Sequence, residues 1–127
     1  MKFARYTFAA AGIYGILVLL PLYFMFDKIG VDNPPAITHP EYYYGFVGMA
    51  LAFQLVFLVI ASDPKKYRPI IPAAILEKFS FGIPTMILLV QGRVGGPIVI
   101  GAVFDLMLGV LFIAVYFKLL REPEPAK

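Results

Sequence analysis

Apolar residues fill four long stretches of the chain, and most polar residues are gathered in the short segments between them. Each stretch is about 20 residues or slightly longer, which is enough to cross a bilayer hydrocarbon core of roughly 30 Å. The pattern predicts membrane-spanning helices over about 4–26, 41–61, 70–91 and 97–118. Because the connections are short, residues 1–127 are expected to form one all-α domain, an integral membrane four-helix bundle with up-down antiparallel helices.

Local helix signals agree with these limits. Pro21 is expected to bend the first span, since proline lacks the amide donor and clashes with the preceding turn. Residues 27–40 are expected to form a polar loop before the second span. Thr38 and Glu41 have capping-box spacing, and Pro40 suits the first turn of the helix that follows.

Composition supports a membrane protein and excludes several kinds of site. Hydrophobic residues make up 61% of the chain, whereas soluble domains are nearer half apolar. The absence of cysteine excludes disulfides and thiol chemistry, and a single histidine, His39, cannot supply a multi-histidine metal site. No nucleotide-binding motif is present, so no cofactor is expected.

The distribution of lysine and arginine predicts the orientation of the bundle. One side has only Lys28 and Arg93, and Lys78 lies inside the third span. Both termini are therefore expected to be cytoplasmic, by the positive-inside rule. This arrangement also accounts for the net charge of +3 without a nucleic-acid partner. The eight basic residues on the opposite, cytoplasmic side are Lys2, Arg5, Lys65, Lys66, Arg68, Lys118, Arg121 and Lys127.

Two adjacent charges, Glu77 and Lys78, lie about a third of the way into the third span. A charge near the centre of a membrane helix costs roughly 2.5–3.5 kcal/mol on insertion scales, so such residues usually face the bundle interior and have partners. At a helical rise of about 1.5 Å per residue, the middle third of the other three spans contains Tyr14, Gln54 and Asp105. The sequence therefore predicts a shared polar layer.

Helical spacing suggests how this layer is paired. Lys78 is predicted to reach Asp105 across an axial gap of roughly 8–9 Å, and Gln54 and Tyr14 are predicted to hydrogen-bond Glu77. Because two carboxylates share one lysine, one of them is expected to carry a proton. The layer has three interpretations at this point: polar contacts that only fix helix register, a ligand or catalytic site, or a contact with another subunit.

Parts of the second and third spans are similar to a known family. The similarity is found in Phe53-Gln54-Leu55 with Phe57, Ile60-Ala61-Ser62, Pro21 followed by Asp27, and Arg68 followed by Pro72-Ala73-Ala74-Ile75. These resemble EXPERA proteins, which include the sigma-2 receptor and sterol-isomerase-like members. The resemblance implies four helices, cytoplasmic termini and a bundle pocket for sterol-like or cationic amphiphilic ligands. Small bacterial DoxX-like proteins are similar in size and topology.

The resemblance carries over only two ligand-binding positions, Asp27 and Gln54. The family's acidic residue four positions before this glutamine is Ala50 here. Isomerase activity is therefore not expected from the resemblance, and no catalytic residue is assigned. From both lines of reasoning, the candidate pocket residues are Tyr14, Asp27, Gln54, Glu77, Lys78, Ser80 and Asp105.

Two functions are compatible with these features, and a third, a proton or ion path, is less favoured because one small bundle has few relay groups. In the first, the bundle binds a membrane lipid or apolar small molecule, such as a sterol-, isoprenoid- or quinone-like lipid, and a buried carboxyl would serve any proton transfer. In the second, the chain is an accessory or assembly subunit of a larger membrane complex. Its charges then fix helix packing, and a small-residue face at Gly45, Gly48 and Ala52 contacts a protein partner or a second copy.

Overall fold

Helices account for nearly all of the regular structure in the computed structural model, which describes residues 2–122. No strand occurs in that range. Lys127, which contributes to the predicted orientation, lies outside it. Short 3-10 segments at Leu20–Phe24 and Arg68–Ile70 join the α-helices. The α-helices are α1 (Lys2–Leu19), α2 (Phe26–Asp32), α3 (Pro40–Ser62), α4 (Ile71–Val90) and α5 (Pro97–Arg121).

Four helical segments in the described range are long and apolar enough to cross a membrane. They have 23, 23, 23 and 25 residues, and each is within a few residues of a span predicted from the sequence. The prediction of an all-helical chain with four long apolar helices is therefore confirmed for residues 2–122. The segments are Lys2–Phe24, Pro40–Ser62, Arg68–Val90 and Pro97–Arg121.

The helix α2 corrects the prediction of a polar loop over 27–40. Around Pro21 the α-helical geometry gives way to a 3-10 segment, as expected where proline removes a helix hydrogen bond. The chain then turns helical again, and the Phe26 ring packs against Tyr43 and Tyr44 at centroid distances of 5.2 and 5.5 Å. These contacts stabilise a short helix that its own polar sequence does not predict.

The predicted capping box at the start of α3 is wrong, although Pro40 occupies the first turn as expected. His39 is the N-cap, and its carbonyl accepts bonds from the amides of Tyr42 and Tyr43 at 3.0 and 3.3 Å. A residue before proline is disfavoured in the helical region, and His39 accordingly has φ −123° and ψ 77°. The helix therefore begins one residue later than a Thr38 cap requires.

The long helices form two closely packed pairs, α1 with α3 and α4 with α5. A β-carbon added to Gly12 would lie 2.8 Å from Leu58 Cδ2 and 3.0 Å from the carbonyl oxygen of Gln54, four residues earlier in α3. One added to Gly82 would lie 2.7 Å from Leu106 Cδ2 and 3.3 Å from the carbonyl oxygen four residues earlier in α5. Both pairs therefore use the same packing of leucine against glycine.

The two pairs meet around three stacked rings, Phe8, Phe57 and Phe112. Phe112 lies 4.2 Å from Phe8 and 5.1 Å from Phe57 between ring centroids, and all three side chains are buried. Such aromatic pairs add about 0.5–1.5 kcal/mol beyond the burial of apolar area. This core places α3 beside α4 and α1 beside α5. It is completed by Ala4, Ala11, Ile60, Ile71, Ala74, Val115 and Leu119.

Candidate functional site

An ionic cluster of Glu77, Lys78 and Asp105 lies between α4 and α5. The Lys78 Nζ atom is 3.3 Å from Asp105 Oδ1 and 3.6 Å from Glu77 Oε2. The lysine side chain is 4% exposed, and the two carboxylates are 15% and 17% exposed. The predicted contact between Lys78 and Asp105 is therefore confirmed. The lysine donates a hydrogen bond to Asp105, while its contact with Glu77 is longer than a hydrogen bond.

Close packing of α4 on α5 brings the lysine to this position. A β-carbon added at Gly109 would lie 2.9 Å from the Phe79 ring and 3.3 Å from Lys78 Cβ, so glycine there lets the two helices approach. Gly101, one turn before Asp105, faces open space instead. Lys78 Nζ also lies 5.0 Å from the centroid of Phe57 on α3, which is within the range of a cation–π contact.

In the α1–α3 pair, phenylalanines occupy the positions that correspond to Lys78 and Asp105 in the α4–α5 pair. Phe8 precedes Gly12 by four residues, as Lys78 precedes Gly82. Phe57 and Asp105 likewise each precede the leucine that packs on the glycine. Phe8 and Phe57 are also in contact, with 6.2 Å between ring centroids. The same helix packing is therefore achieved in α1–α3 with apolar rings.

Glu77 faces a groove between α3 and α4 with a volume of about 440 Å³. Its Oε2 atom is buried and has no hydrogen-bond partner in residues 2–122. The neighbouring Ser80 hydroxyl donates to the backbone carbonyl of Glu77 at 2.9 Å. Apart from Glu77 and Ser80 the lining is apolar. It consists of Phe46, Met49, Ala50, Phe53, Ala73, Leu76 and Phe81.

Gln54 does not join the ionic cluster, so its predicted hydrogen bond to Glu77 is wrong. Its Nε2 atom donates to the Ala50 carbonyl at 2.8 Å, and its side chain is packed against Gly15 of α1. A β-carbon at Gly15 would overlap the Gln54 amide. The glutamine is therefore held in the α1–α3 interface, where its Oε1 atom has no hydrogen-bond partner in the described part of the chain.

Two further predicted site residues make no hydrogen bond to Glu77 in the described part of the chain. The Tyr14 ring packs against Phe104 at a centroid distance of 5.5 Å, and its predicted hydrogen bond to Glu77 is absent among residues 2–122. Asp27 is exposed in the first turn of α2. The structure thus brings together Glu77, Lys78 and Asp105, with Ser80 beside them.

Sequence reasoning missed the aromatic walls of the groove. Phe46 and Phe81 both line the groove and pack against each other, with 5.6 Å between centroids, and Phe53 lies further along α3. Phenylalanine is ordinary in an apolar span, so its presence alone gives no signal. The signal that could have located these rings is their helical spacing relative to Glu77 once α3 is placed beside α4.

Comparisons with protein-family models, with curated proteins and with solved structures find no match for this chain. The class of protein is therefore defined from the structure alone. In residues 2–122 this is an all-helical protein with four helices long and apolar enough to cross a membrane. The similarity to EXPERA and DoxX-like proteins stays a prediction.

Proposed function

We propose that the chain is a single-domain, multi-pass integral membrane protein whose four long helices run up and down through the bilayer. The length and composition of the four segments support this proposal. The excess of lysine and arginine on one side supports an orientation with both termini in the cytoplasm. In this arrangement the ionic cluster lies within the hydrocarbon layer, and the groove between α3 and α4 opens toward lipid.

The proposed function is binding of an apolar or amphiphilic small molecule in that groove. One observation carries the proposal, namely a mostly buried Glu77 side chain that lines a largely apolar groove of about 440 Å³ and accepts no side-chain hydrogen bond from the described residues. Ligand pockets are typically about 300–1,000 Å³, largely apolar, with a few polar groups that orient the ligand. A sterol-, isoprenoid- or quinone-like lipid fits this description.

Filling the groove is expected to abolish binding. Ala73 is an exposed residue that lines the groove, so Ala73→Phe places a ring in the ligand's volume. We expect lipids that raise the melting temperature of the purified wild-type protein to lose that effect in Ala73→Phe. The measurement is a thermal-shift panel of sterols, isoprenols, quinones and phospholipids, repeated with Glu77→Gln.

Ala52→Phe is the matched control, because Ala52 is exposed on α3 and does not line the groove. This variant is expected to respond to the same lipids as the wild type. A panel that shifts no melting temperature in the wild type would contradict the proposal. Equal shifts in Ala73→Phe and wild type would place the ligand elsewhere on the protein.

A second candidate function is that of an accessory subunit, and a specific surface favours it. A β-carbon added at Gly45 would have no neighbour within 4 Å in the described chain, and Ala52 two turns later is exposed. Gly48 is covered instead, since a β-carbon there would lie 2.9 Å from the Tyr23 hydroxyl, so the open part of the small-residue face is Gly45 and Ala52. Small residues of this kind commonly allow close contact between membrane helices. On this alternative, the ionic cluster fixes the packing of α4 on α5 and the small-residue face contacts a partner.

Loss of a partner on substitution of Gly45 is the expected result for this alternative. A heteromeric complex, or a dimer of this chain, isolated in native detergent should dissociate in Gly45→Leu. Gly101→Leu is the control, since Gly101 also has no neighbour within 4 Å of an added β-carbon in the described chain but lies on α5. A chain that elutes alone in both variants and in the wild type would exclude the subunit function.

A further inference from the structure

We propose that the ligand of the α3–α4 groove has a polar head group that donates a hydrogen bond, a hydroxyl or an ammonium, and that the Glu77 carboxylate, which lines the groove, accepts it. This inference rests on the proposed function, because it assigns chemistry to the ligand of the same groove. It narrows the ligand class, since lipids whose head groups only accept hydrogen bonds, such as esters and quinones, are excluded.

The ionic cluster contains more carboxylates than cations. Two carboxylates surround one ammonium group, and Lys78 hydrogen-bonds Asp105 at 3.3 Å, while Glu77 Oε2 is 3.6 Å away. The lysine Nζ atom also lies over the Phe57 ring of α3, at 5.0 Å from its centroid. Lys78 is thus engaged by Asp105 and Phe57, which leaves acceptor capacity on Glu77.

The groove has few side chains that could donate a hydrogen bond to a ligand. Ser80 is the other polar residue of its lining, and its hydroxyl already donates to the Glu77 backbone carbonyl at 2.9 Å. The remaining seven lining side chains are apolar. Backbone amides in the middle of α3 and α4 are used within the helices. The proposed contact requires an ionised Glu77 in the complex, and an ionised carboxylate only accepts hydrogen bonds. The described groove then offers the ligand an acceptor and no free side-chain donor. An ammonium head group would balance the charge of the second carboxylate, whereas a hydroxyl head group would bind with the expected proton on Asp105.

Helix packing alone does not require the charges of the ionic cluster. The equivalent positions in the α1–α3 pair are Phe8 and Phe57, which pack the same type of interface without charge. Charges at Lys78 and Asp105 are thus not required by the packing geometry. We assign them as positioning residues that hold Glu77 at the groove, whereas Glu77 itself contacts the ligand.

The walls of the groove suit the rest of such a molecule. The Phe46 and Phe81 rings, 5.6 Å apart, together with Phe53, provide flat apolar surface next to the carboxylate. Aromatic faces also attract an ammonium group through cation–π contact. Hydroxyl and ammonium heads share the ability to donate to Glu77, and binding experiments distinguish them.

The test uses four probes with the same hydrocarbon chain: hexadecan-1-ol, hexadecylamine, methyl hexadecanoate and hexadecane. Affinities are measured for the full chain in lipid nanodiscs by native mass spectrometry. We expect at least one of the two donor probes to bind about tenfold or more tightly than the ester and the alkane, the effect of one hydrogen bond to a charged group.

Variants at Glu77 then identify the acceptor and the head group. Glu77→Leu should reduce the affinity of the donor probe to that of the ester. Glu77→Gln keeps a side-chain oxygen, so an ammonium probe should lose about tenfold or more, whereas a hydroxyl probe should lose less. Glu41→Gln and Glu41→Leu are controls at an exposed glutamate outside the groove.

The possible failures of the two proposals are different. If the ester binds the wild type as tightly as the alcohol and the amine, the donor inference is overturned while the groove remains a binding site. The inference is overturned in the same way if both Glu77 variants keep wild-type affinity for the donor probe. If none of the four probes nor any lipid of the panel binds, the proposed function itself fails. The comparison of the four probes uses only the wild-type protein, so its result does not depend on whether any variant folds.

Discussion

Lys78→Met is expected to lower the free energy of unfolding by about 3 kcal/mol, since removing one partner of a buried ion pair typically costs 3–5 kcal/mol. The substitution keeps an unbranched side chain of similar length but leaves Glu77 and Asp105 buried without their cation. This loss is larger than the roughly 0.6 kcal/mol of an average interhelical hydrogen bond in a membrane protein. Reversible unfolding in mixed micelles, titrated with a denaturing detergent, measures it.

The matched control is Lys28→Met on α2. Lys28 and Asp32 are 3.9 Å apart, with side chains 68% and 56% exposed, and exposed pairs contribute only about 0–1 kcal/mol. In a Lys78→Met background, Asp105→Leu should recover part of the stability, because it removes one of the two unpaired carboxylates. Equal stability of Lys78→Met and the Lys28 control would show that the ionic cluster does not stabilise the fold.

The depth of a residue along a long apolar helix can be predicted from sequence. This is why the contact between Lys78 and Asp105 was predicted correctly. The limits of the apolar stretches locate the four long helices, and the constant helical rise assigns each polar residue a level. Lys78 and Asp105 have opposite charge, and their predicted levels differ by roughly 8–9 Å, which a lysine side chain can span. A long lysine stem tolerates the remaining error in distance, so the contact could be predicted without side-chain coordinates.

Rotation of a helix about its axis is harder to predict, and this explains the errors at Gln54 and Tyr14. Both lie at suitable depth, but Gly12 and Gly15 bring α1 so close to α3 that Gln54 is enclosed between these two helices. Hydrophobic patterning gives little help here, because nearly every side of each helix is apolar. A glycine pair facing a glutamine is a packing relation that becomes visible only when the helices are assembled.

The short helix α2 could not be predicted for a related reason. Its seven residues include Asp27, Lys28 and Asp32, and so few residues form a marginal helix alone. The rings of Tyr43 and Tyr44, from a distant part of the chain, cover Phe26 and stabilise it. The groove walls share this dependence on tertiary contacts, since Phe46, Phe53 and Phe81 become a site only beside Glu77.

Gly15→Ala is expected to destabilise the protein by about 2 kcal/mol, although alanine favours a helix over glycine by roughly 0.5–1 kcal/mol. The new methyl group would overlap the side-chain amide of Gln54, which is 1% exposed and bonded to the Ala50 carbonyl. Moving the amide breaks that bond and leaves a buried polar group, at about 1–3 kcal/mol, and overpacking adds a similar amount. Detergent-induced unfolding gives the difference.

The informative result is whether Gly15→Ala lowers or raises the stability of the protein, and Gly45→Ala provides the comparison. An added β-carbon at Gly45 has no neighbour within 4 Å in the described chain, so the same substitution there should stabilise α3 by roughly 0.5–1 kcal/mol. Gln54→Ala should make Gly15→Ala less harmful, because the overlapping amide is removed, and the double variant should be non-additive. Stabilisation by both glycine substitutions would mean that Gln54 is not enclosed between α1 and α3. Its amide would then be free to turn toward Glu77.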